Sequence, residues 1–478
     1  MHLKRLDKWR LELPRTGSML VPATVYASER LKVEAEAVGQ LAAAASVPTV
    51  VRALATPDIH IGFGVPIGCV MATESTVVPA AVGYDVNCGM RLIATPLSRA
   101  DLEGKLRDLA RSIARDIPLG EGKSNVELSR RDFEAVLARG LSALPEVKSG
   151  SDRWLSCRRE DEERADAGLT EDSGSMPGEL RAVSKQAFER GLEQLGTLGG
   201  GNHFVEAQVV ERVDDAATAG AWGVRQGQVV VMIHSGSRGL GHQVGGEFMK
   251  TARGEGRGTR PARRSLGEGG GGLSCLEAAS RAGRDYIGAM NAAANFAFVN
   301  RQIMAALVRR NFRHFFGEIA MPSVYDVPHN MAKREEHGGR LLWVHRKGAT
   351  RAFPGSLLGG RLAATGQPVL IPGSMGTASY LLAGVETGAE ALWSVNHGAG
   401  RVMSRTEAAG RRGRGGAISE HDFRRAMEGI ELVAASKAGA LEEAPQAYKD
   451  IDAVVEVVAG AGLARVVARL RPLAVLKG

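Results

Sequence analysis

Six residues of this chain combine a chemically versatile side chain with a setting that would present it to a cleft. His203, His234, His329 and His397 stand in GGGNHF, MIHSGS, DVPHN and VNHGAG, while Asp85 and Cys88 share YDVNCGM. Each adjoins a short apolar run, a glycine or an amide residue, the context in which a strand end delivers a polar group and a turn exposes it. A single histidine so placed is more often a hydrogen-bonded structural residue than a functional one. Four of them, joined by a thiol and a carboxylate in similar contexts, make coincidence a poor account.

Thiolate, imidazole and carboxylate together suit a borderline divalent metal. Asp85 and Cys88 are three apart in a turn, so both can face one ion, and a bridging thiolate would admit a second. A buried inert thiol is the alternative for Cys88 and the preferred reading of Cys69, Cys157 and Cys275. None of the four shows the paired spacing of structural zinc, which favours a catalytic site. Anion-binding character lies nearby. HSGSRGLG (234–241), PGSMGTASY (372–380) and HGAGR (397–401) offer glycine-freed N–H groups, hydroxyls and arginine, and RKGATRA (346–352) adds Arg346, Lys347 and Arg351. There is no GxxxxGK[ST] loop and no GxGxxG strand–turn–helix unit, so ordinary NTPase and dinucleotide-binding readings fall away.

Something must position these groups. Amphipathic spacing predicts helices over 29–46, 101–115 and 420–438, and β-branched runs ending in Gly-rich turns predict strands within 79–90, 229–241, 368–376 and 392–400. Strands and helices mix without a βαβ rhythm. We therefore expect an α+β fold, one large domain over 1–478 with mixed β-sheets and surrounding helices around a central cleft. Residues 148–178 read as a polar surface insertion and 253–272 as a Gly/Arg-rich flexible loop, with RRGRGG at 411–416 as a third basic stretch. Solvated loops are the expectation for all three, with RNA contact the sharper alternative.

Composition sets the limits. Of 478 residues 44% are hydrophobic, enough for a substantial core, and 61 glycines against 5% aromatics favour tight turns over a helical bundle. The excess of 61 basic over 53 acidic residues, a net +8, fits a polyanionic partner without demanding one. The opening MHLKRLDKWRLELP is charged where a signal peptide needs an apolar core. Apolar runs such as VVVMI at 229–233 fall far short of the about 20 residues that span a bilayer. A soluble, cytoplasmic protein is expected.

The blocks PDIHIGFGVPIG (57–68), AAVGYDVNCGM (80–90), LGTLGGGNHFVE (195–206), HSGSRGLG, DVPHN, RKGATRA, PGSMGTASY and HGAGRVMSR (397–405), with EEAPQAYKDID (442–452) and the terminal Lys477-Gly478, resemble the successive signatures of RtcB RNA ligases, in the family's order. The resemblance implies two Mn²⁺ ions bridged by Cys88, with Asp85 and His203 completing one site and His234 and His329 the other. It implies that His397 is guanylylated. GTP would be held by Asn202, His203, Phe204, Glu206, His329, Asn330, Pro372, Gly373, Ser374, Met375, Ser379, His397, Gly398, Ala399, Gly400, Tyr448 and Lys477. Asp58 and His60 stand in a signature block without an assigned role. The implied partner is RNA with 3'-phosphate or 2',3'-cyclic phosphate and 5'-hydroxyl ends, in tRNA splicing or RNA repair, with room for an archease-like activator. Two rivals keep parts of the pattern: a dinuclear phosphohydrolase on the same ligands, and a non-catalytic RNA-binding protein.

Overall fold

The computed structural model describes residues 2–255, 273–411 and 414–478. The expected loop at 253–272 lies outside the described residues from 256 onward, as do 412 and 413 of the basic RRGRGG stretch. Two large sheets form the frame. One runs Lys4–Arg5, Arg10–Leu13, Ala23–Tyr26, Val50–His60, Ile67–Thr73, Arg340–Lys347, Asn330–His337. The other runs Ser323–Pro328, Gly89–Ser98, Gln228–Ser235, Phe204–Val213, Ala464–Lys477, Ser379–Gly384, Pro368–Ile371, with Glu431–Ala434 lying along Ala464–Lys477. Pairing is mainly antiparallel, but Ala23–Tyr26 with Val50–His60 and Glu431–Ala434 with Ala464–Lys477 are parallel. The fold is thus α+β with mixed sheets, as the scattered strand and helix signals imply.

The strand QVVVMIHS (Gln228–Ser235) is buried throughout, which is why it reads as an unbroken apolar run. Val229, Val231 and Ile233 face a core shared with the long helix Arg281–Phe316, whereas Val230 and Met232 face the opposite core with Met90, Val327 and Leu381. The long helix starts at Ser280, whose hydroxyl accepts the amide of Gly283, and stops at Gly317 with φ 78°. Helix Ala35–Ala44 covers the other sheet through Val38 and Leu41.

Several expected elements differ. The 29–46 helix begins only at Ala35, because Glu34 is extended. The 101–115 helix spans Leu106–Asp116 after a 3-10 turn. The 420–438 helix stops at Ala426: Gly429 takes φ 76°, and Glu431–Ala434 joins the sheet instead. Within 79–90 no strand forms before Gly89, since Pro79–Ala81 make a 3-10 turn and Gly83 and Asn87 adopt φ 94° and 54°. Residues 148–178 carry the helices Asp152–Leu155 and Glu160–Ala167, and their charges point both ways. Asp166 is buried against Arg309 at 2.6 Å and Arg91 at 3.4 Å, and Glu171 is buried against Lys333. That segment is tied into the core by ion pairs. No helix among the described residues is long and apolar enough to cross a membrane.

Candidate active site

The site is assembled where strands of both sheets end. Cys88 closes the turn before Gly89–Ser98, His203 precedes Phe204–Val213, His234 lies near the end of Gln228–Ser235, and His329 separates Ser323–Pro328 from Asn330–His337. Gly89 permits this crowding, because a Cβ there would sit 2.7 Å from the Val327 carbonyl oxygen. The Cys88 Sγ lies 3.2 Å from Nε2 of His203 and 3.2 Å from Nε2 of His234. The Nε2 atoms of His234 and His329 are 3.3 Å apart, and Asp85 Oδ2 is 2.8 Å from Nε2 of His203. Two donor groups result, Asp85–Cys88–His203 and Cys88–His234–His329, sharing the thiol.

The donor chemistry fits a divalent metal. Nδ1 of His203 lies 3.1 Å from the Leu198 carbonyl and Nδ1 of His234 lies 3.2 Å from the Asn202 carbonyl. A carbonyl only accepts, so the His234 ring donates from Nδ1 and aims its Nε2 lone pair at the thiol, while Nδ1 of His203 also lies 3.3 Å from Nη1 of Arg238. Burial drives the pKa of His234 and of His329 well below the ordinary value, which keeps both rings neutral, the ligating form. Lone pairs and sulfur converging this closely in a buried space want a cation between them.

A guanidinium braces the turns behind the cluster. Arg301, fully buried on the long helix, donates to the Asn87 carbonyl at 2.8 Å, the Ser235 carbonyl at 3.0 Å and Asp326 Oδ1 at 2.8 Å. Asn87 adjoins Cys88, Ser235 adjoins His234, and Asp326 lies on the strand leading to His329.

His397 follows the short strand Ser394–Asn396, and its ring centroid is 4.7 Å from that of His329. Its Nδ1 lies 2.8 Å from Asp58 Oδ2 and 2.8 Å from the Gly348 carbonyl oxygen. Nδ1–H is therefore the donor, and Nε2 is the ring nitrogen that neither partner engages. Asp58 is fully buried; burial opposes its ionisation, but hydrogen bonds from His397 and Thr56 outweigh that and hold the carboxyl below its usual range. Gly400, at φ 77°, lets the chain pass Asp58 where a Cβ would meet its carbonyl at 2.3 Å. Asp58, unassigned in its sequence block, is thus a direct partner of His397. His60 bonds the Asp58 carbonyl at 2.8 Å and is pushed down to about 4 by burial.

A cavity of about 420 Å³ opens over both features. Its walls include Asp85, Cys88, His234, His329 and His397, and also Asn202, Phe204, Glu206, Asn330, Pro372, Gly373, Ser374, Met375, Gly398, Ala399, Gly400, Tyr448 and Lys477. Of the expected residues, His203 stands behind Cys88, and Ser379 stands behind Glu206, linked to it through Gln208 at 2.9 and 2.6 Å. Burial raises the Glu206 carboxyl to about 7. Arg401, Arg405 and Glu443 also line the cavity, with Glu443 3.2 Å from Arg401 and 2.8 Å from Arg405. The motifs HGAGRVMSR and EEAPQAYKDID contained these three residues, but nothing in them singled the three out. Of the cations of RKGATRA, Lys347 lines the cavity, whereas Arg346 and Arg351 are turned to buried carboxylates instead. Arg346 pairs with Glu335 at 2.6 Å and Arg351 lies 3.3 Å from Glu171, while Lys347 donates to the Ala80 carbonyl at 3.1 Å.

The pattern of the family described as "tRNA-splicing ligase RtcB" matches residues 40–478. The chain belongs to the RtcB family. A tRNA-splicing ligase RtcB of Thermococcus kodakarensis is 42% identical, over 100% of this chain and 99% of that protein. One of Archaeoglobus fulgidus is also 42% identical, with the same coverage. An RNA-splicing ligase RtcB of Mycobacterium tuberculosis is 43% identical over 92% of this chain and 100% of its own length. Both donor groups, Asp58 and His397 lie inside the stretch that matches RtcB; the strands before residue 40 lie outside it.

Proposed function

We propose that this RNA ligase joins RNA 3'-phosphate or 2',3'-cyclic phosphate ends to 5'-hydroxyl ends, with GTP and two Mn²⁺ ions, through a guanylylated His397. The observation that carries the reading is His397 itself. Its Nδ1 is engaged by Asp58 and Gly348, and its ring lies 4.7 Å from that of His329 in a Cys/His donor group.

Nε2 of His397 attacks the α-phosphorus of GTP, a phosphorus–nitrogen bond forms and pyrophosphate leaves. Asp58 stabilises the positive charge that the ring acquires, as a buried carboxylate does behind a catalytic imidazole. An oxygen of the RNA 3'-phosphate then takes the GMP, freeing His397 and giving RNA-ppG. The RNA 5'-hydroxyl attacks the RNA phosphorus and expels GMP. A 2',3'-cyclic end is first opened by water to the 3'-phosphate. Asp85, Cys88 and His203 would hold one ion and Cys88, His234 and His329 the other. When bound, these ions supply charge neutralisation at phosphate oxygens. Glu206, Phe204, Tyr448 and Lys477 would enclose the guanine, with Ser379 supporting Glu206 through Gln208. Asn202, Asn330, Pro372–Met375 and Gly398–Gly400 would line the rest of the nucleotide. A cytoplasmic role in tRNA splicing or RNA repair belongs to the same proposal. An archease-like activator is tested by whether turnover continues past one round without one.

Incubation with α-labelled GTP and Mn²⁺ should label the protein through an alkali-stable, acid-labile bond. His397→Ala should lose the label and the joining of 3'-phosphate ends, yet still seal RNA supplied as RNA-ppG. Label retained in His397→Ala, or efficient joining without GTP, would overturn the reading, and phosphate hydrolysis that needs neither GTP nor His397 would favour a phosphohydrolase on the same ligands.

A further inference from the structure

Tyr84, one residue before Asp85, lines the active-site cavity and also a second hollow beside it, walled by Arg190, His242, Glu247, Lys250 and Arg253. Three flat rings connect the two. Phe63 lies 5.4 Å from Tyr84, centroid to centroid, and Tyr84 stacks on His242 at 4.6 Å with planes 18° apart. The outer members are open to solvent: Phe63 is 42% exposed and His242 is also exposed.

The charges around the second hollow are unbalanced. His242, Lys250 and Arg253 recur at helical spacing along Arg238–Gly254, so they share a face, and Arg190 projects from the neighbouring helix Lys185–Leu192. All four are exposed, and Arg190, Lys250 and Arg253 make no ion pair with a described residue. Glu247, the carboxylate in the hollow, is already engaged by Ser184 at 2.8 Å and Gln243 at 2.7 Å. A solvated helix face would explain the cations but not the ring ladder that leads from them to the metal-ligand cluster. A run of ring faces leading to a group of cations suits a single-stranded nucleic acid, because bases stack without sequence preference while phosphates follow the charge.

We propose that this ladder and hollow bind the RNA strand leading into the active site. A base near the reacting end stacks on the open face of Phe63, and the phosphates that follow lie on Arg190, Lys250 and Arg253. The assignment rests on the RNA-ligase reading and adds to it the path of the strand. His242 contributes through its ring face, and its stacking fixes Tyr84 at the boundary between the two cavities.

The test uses the full chain and a short single-stranded oligoribonucleotide carrying 2-aminopurine near its end, titrated over a range of salt concentrations. Lys250→Gln with Arg253→Gln should flatten the log–log salt dependence by about 1.4, the release of two single-strand phosphates, and weaken binding about tenfold at moderate salt. Phe63→Ala should weaken binding by a similar factor, leave the salt slope unchanged and abolish the quenching of the aminopurine. Melting temperatures of all variants confirm folding, and Arg107→Gln with Arg153→Gln, exposed cations on other helices, serves as the charge-matched control. Salt slopes equal to the parent's, or an equal loss in the control pair, would overturn this binding track and leave the ligase reading intact. A parent chain that binds no RNA at all would instead overturn the ligase reading.

Discussion

At the residue scale the site works by fixing protons. Asp58 and His397 are 339 positions apart, so no local spacing could pair them; the histidine's motif was legible, and the carboxylate that sets its tautomer was not. Glu206 is the opposite case, a carboxyl that burial has left partly protonated. Its folded value of about 7 lies above the ordinary one near 4.5, so between those values the folded chain binds more protons than the unfolded chain. Stability attributable to this group is therefore highest in acid, falls as pH rises from about 4.5 to about 7, and is level above that. Glu206→Gln removes the effect. Its melting temperature should match the parent's near pH 4.5 and exceed it by a growing margin up to pH 7. If Glu206 also accepts N–H groups of guanine, the same variant should label more weakly with GTP at pH 8. Parallel melting curves across that range would show that Glu206 is not the group concerned.

At the scale of elements, the turns that carry chemistry announced themselves and the helix that braces them did not. HSGSRGLG and VNHGAGR read as strand ends meeting glycine, and the chain does turn there. The helix Arg281–Phe316 escaped because its interior is not purely apolar. Asn295, Asn300, Arg301 and Arg309 are all buried, and an amphipathic pattern is legible only when one face stays wet. Those polar groups hold loops: Asn300 donates to the Ser235 hydroxyl at 3.1 Å, and Asn295 donates to the Met176 carbonyl at 2.8 Å. Arg301 is the one we expect to govern metal binding. Lysine at 301 keeps the charge but cannot span the Asn87 and Ser235 carbonyls together with Asp326. Arg301→Lys should still melt cooperatively while its affinity for Mn²⁺ falls by about 10- to 100-fold, the range for groups that orient ligands from behind. Calorimetric titration of metal-free protein measures this, and an affinity equal to the parent's would reduce Arg301 to a packing residue.

At the scale of the whole molecule, the donor groups sit where the two sheets meet. Cys88 leads into a strand of the eight-stranded sheet, while His329 passes the chain from that sheet to Asn330–His337 in the seven-stranded one. A bound ion would therefore connect the sheets, and binding free energy would become folding free energy. Mn²⁺ at about 100 times its dissociation constant should add about 2.7 kcal/mol, which in a chain of this size raises the melting temperature by a few degrees. Cys88 decides whether the two donor groups act together, because its sulfur belongs to both. Serine is nearly isosteric, but its hydroxyl stays protonated near neutral pH and bridges poorly. Cys88→Ser should accordingly lose the manganese-dependent rise and most bound metal. Cys157→Ser, at a half-buried thiol that donates to the Trp154 carbonyl at 3.2 Å, should keep both. Zinc competes on affinity for such ligands, so the comparison needs metal-free protein titrated with each ion separately. A full manganese-dependent rise in Cys88→Ser would mean that the thiol bridges nothing, and the two donor groups would have to be treated as independent sites or as none.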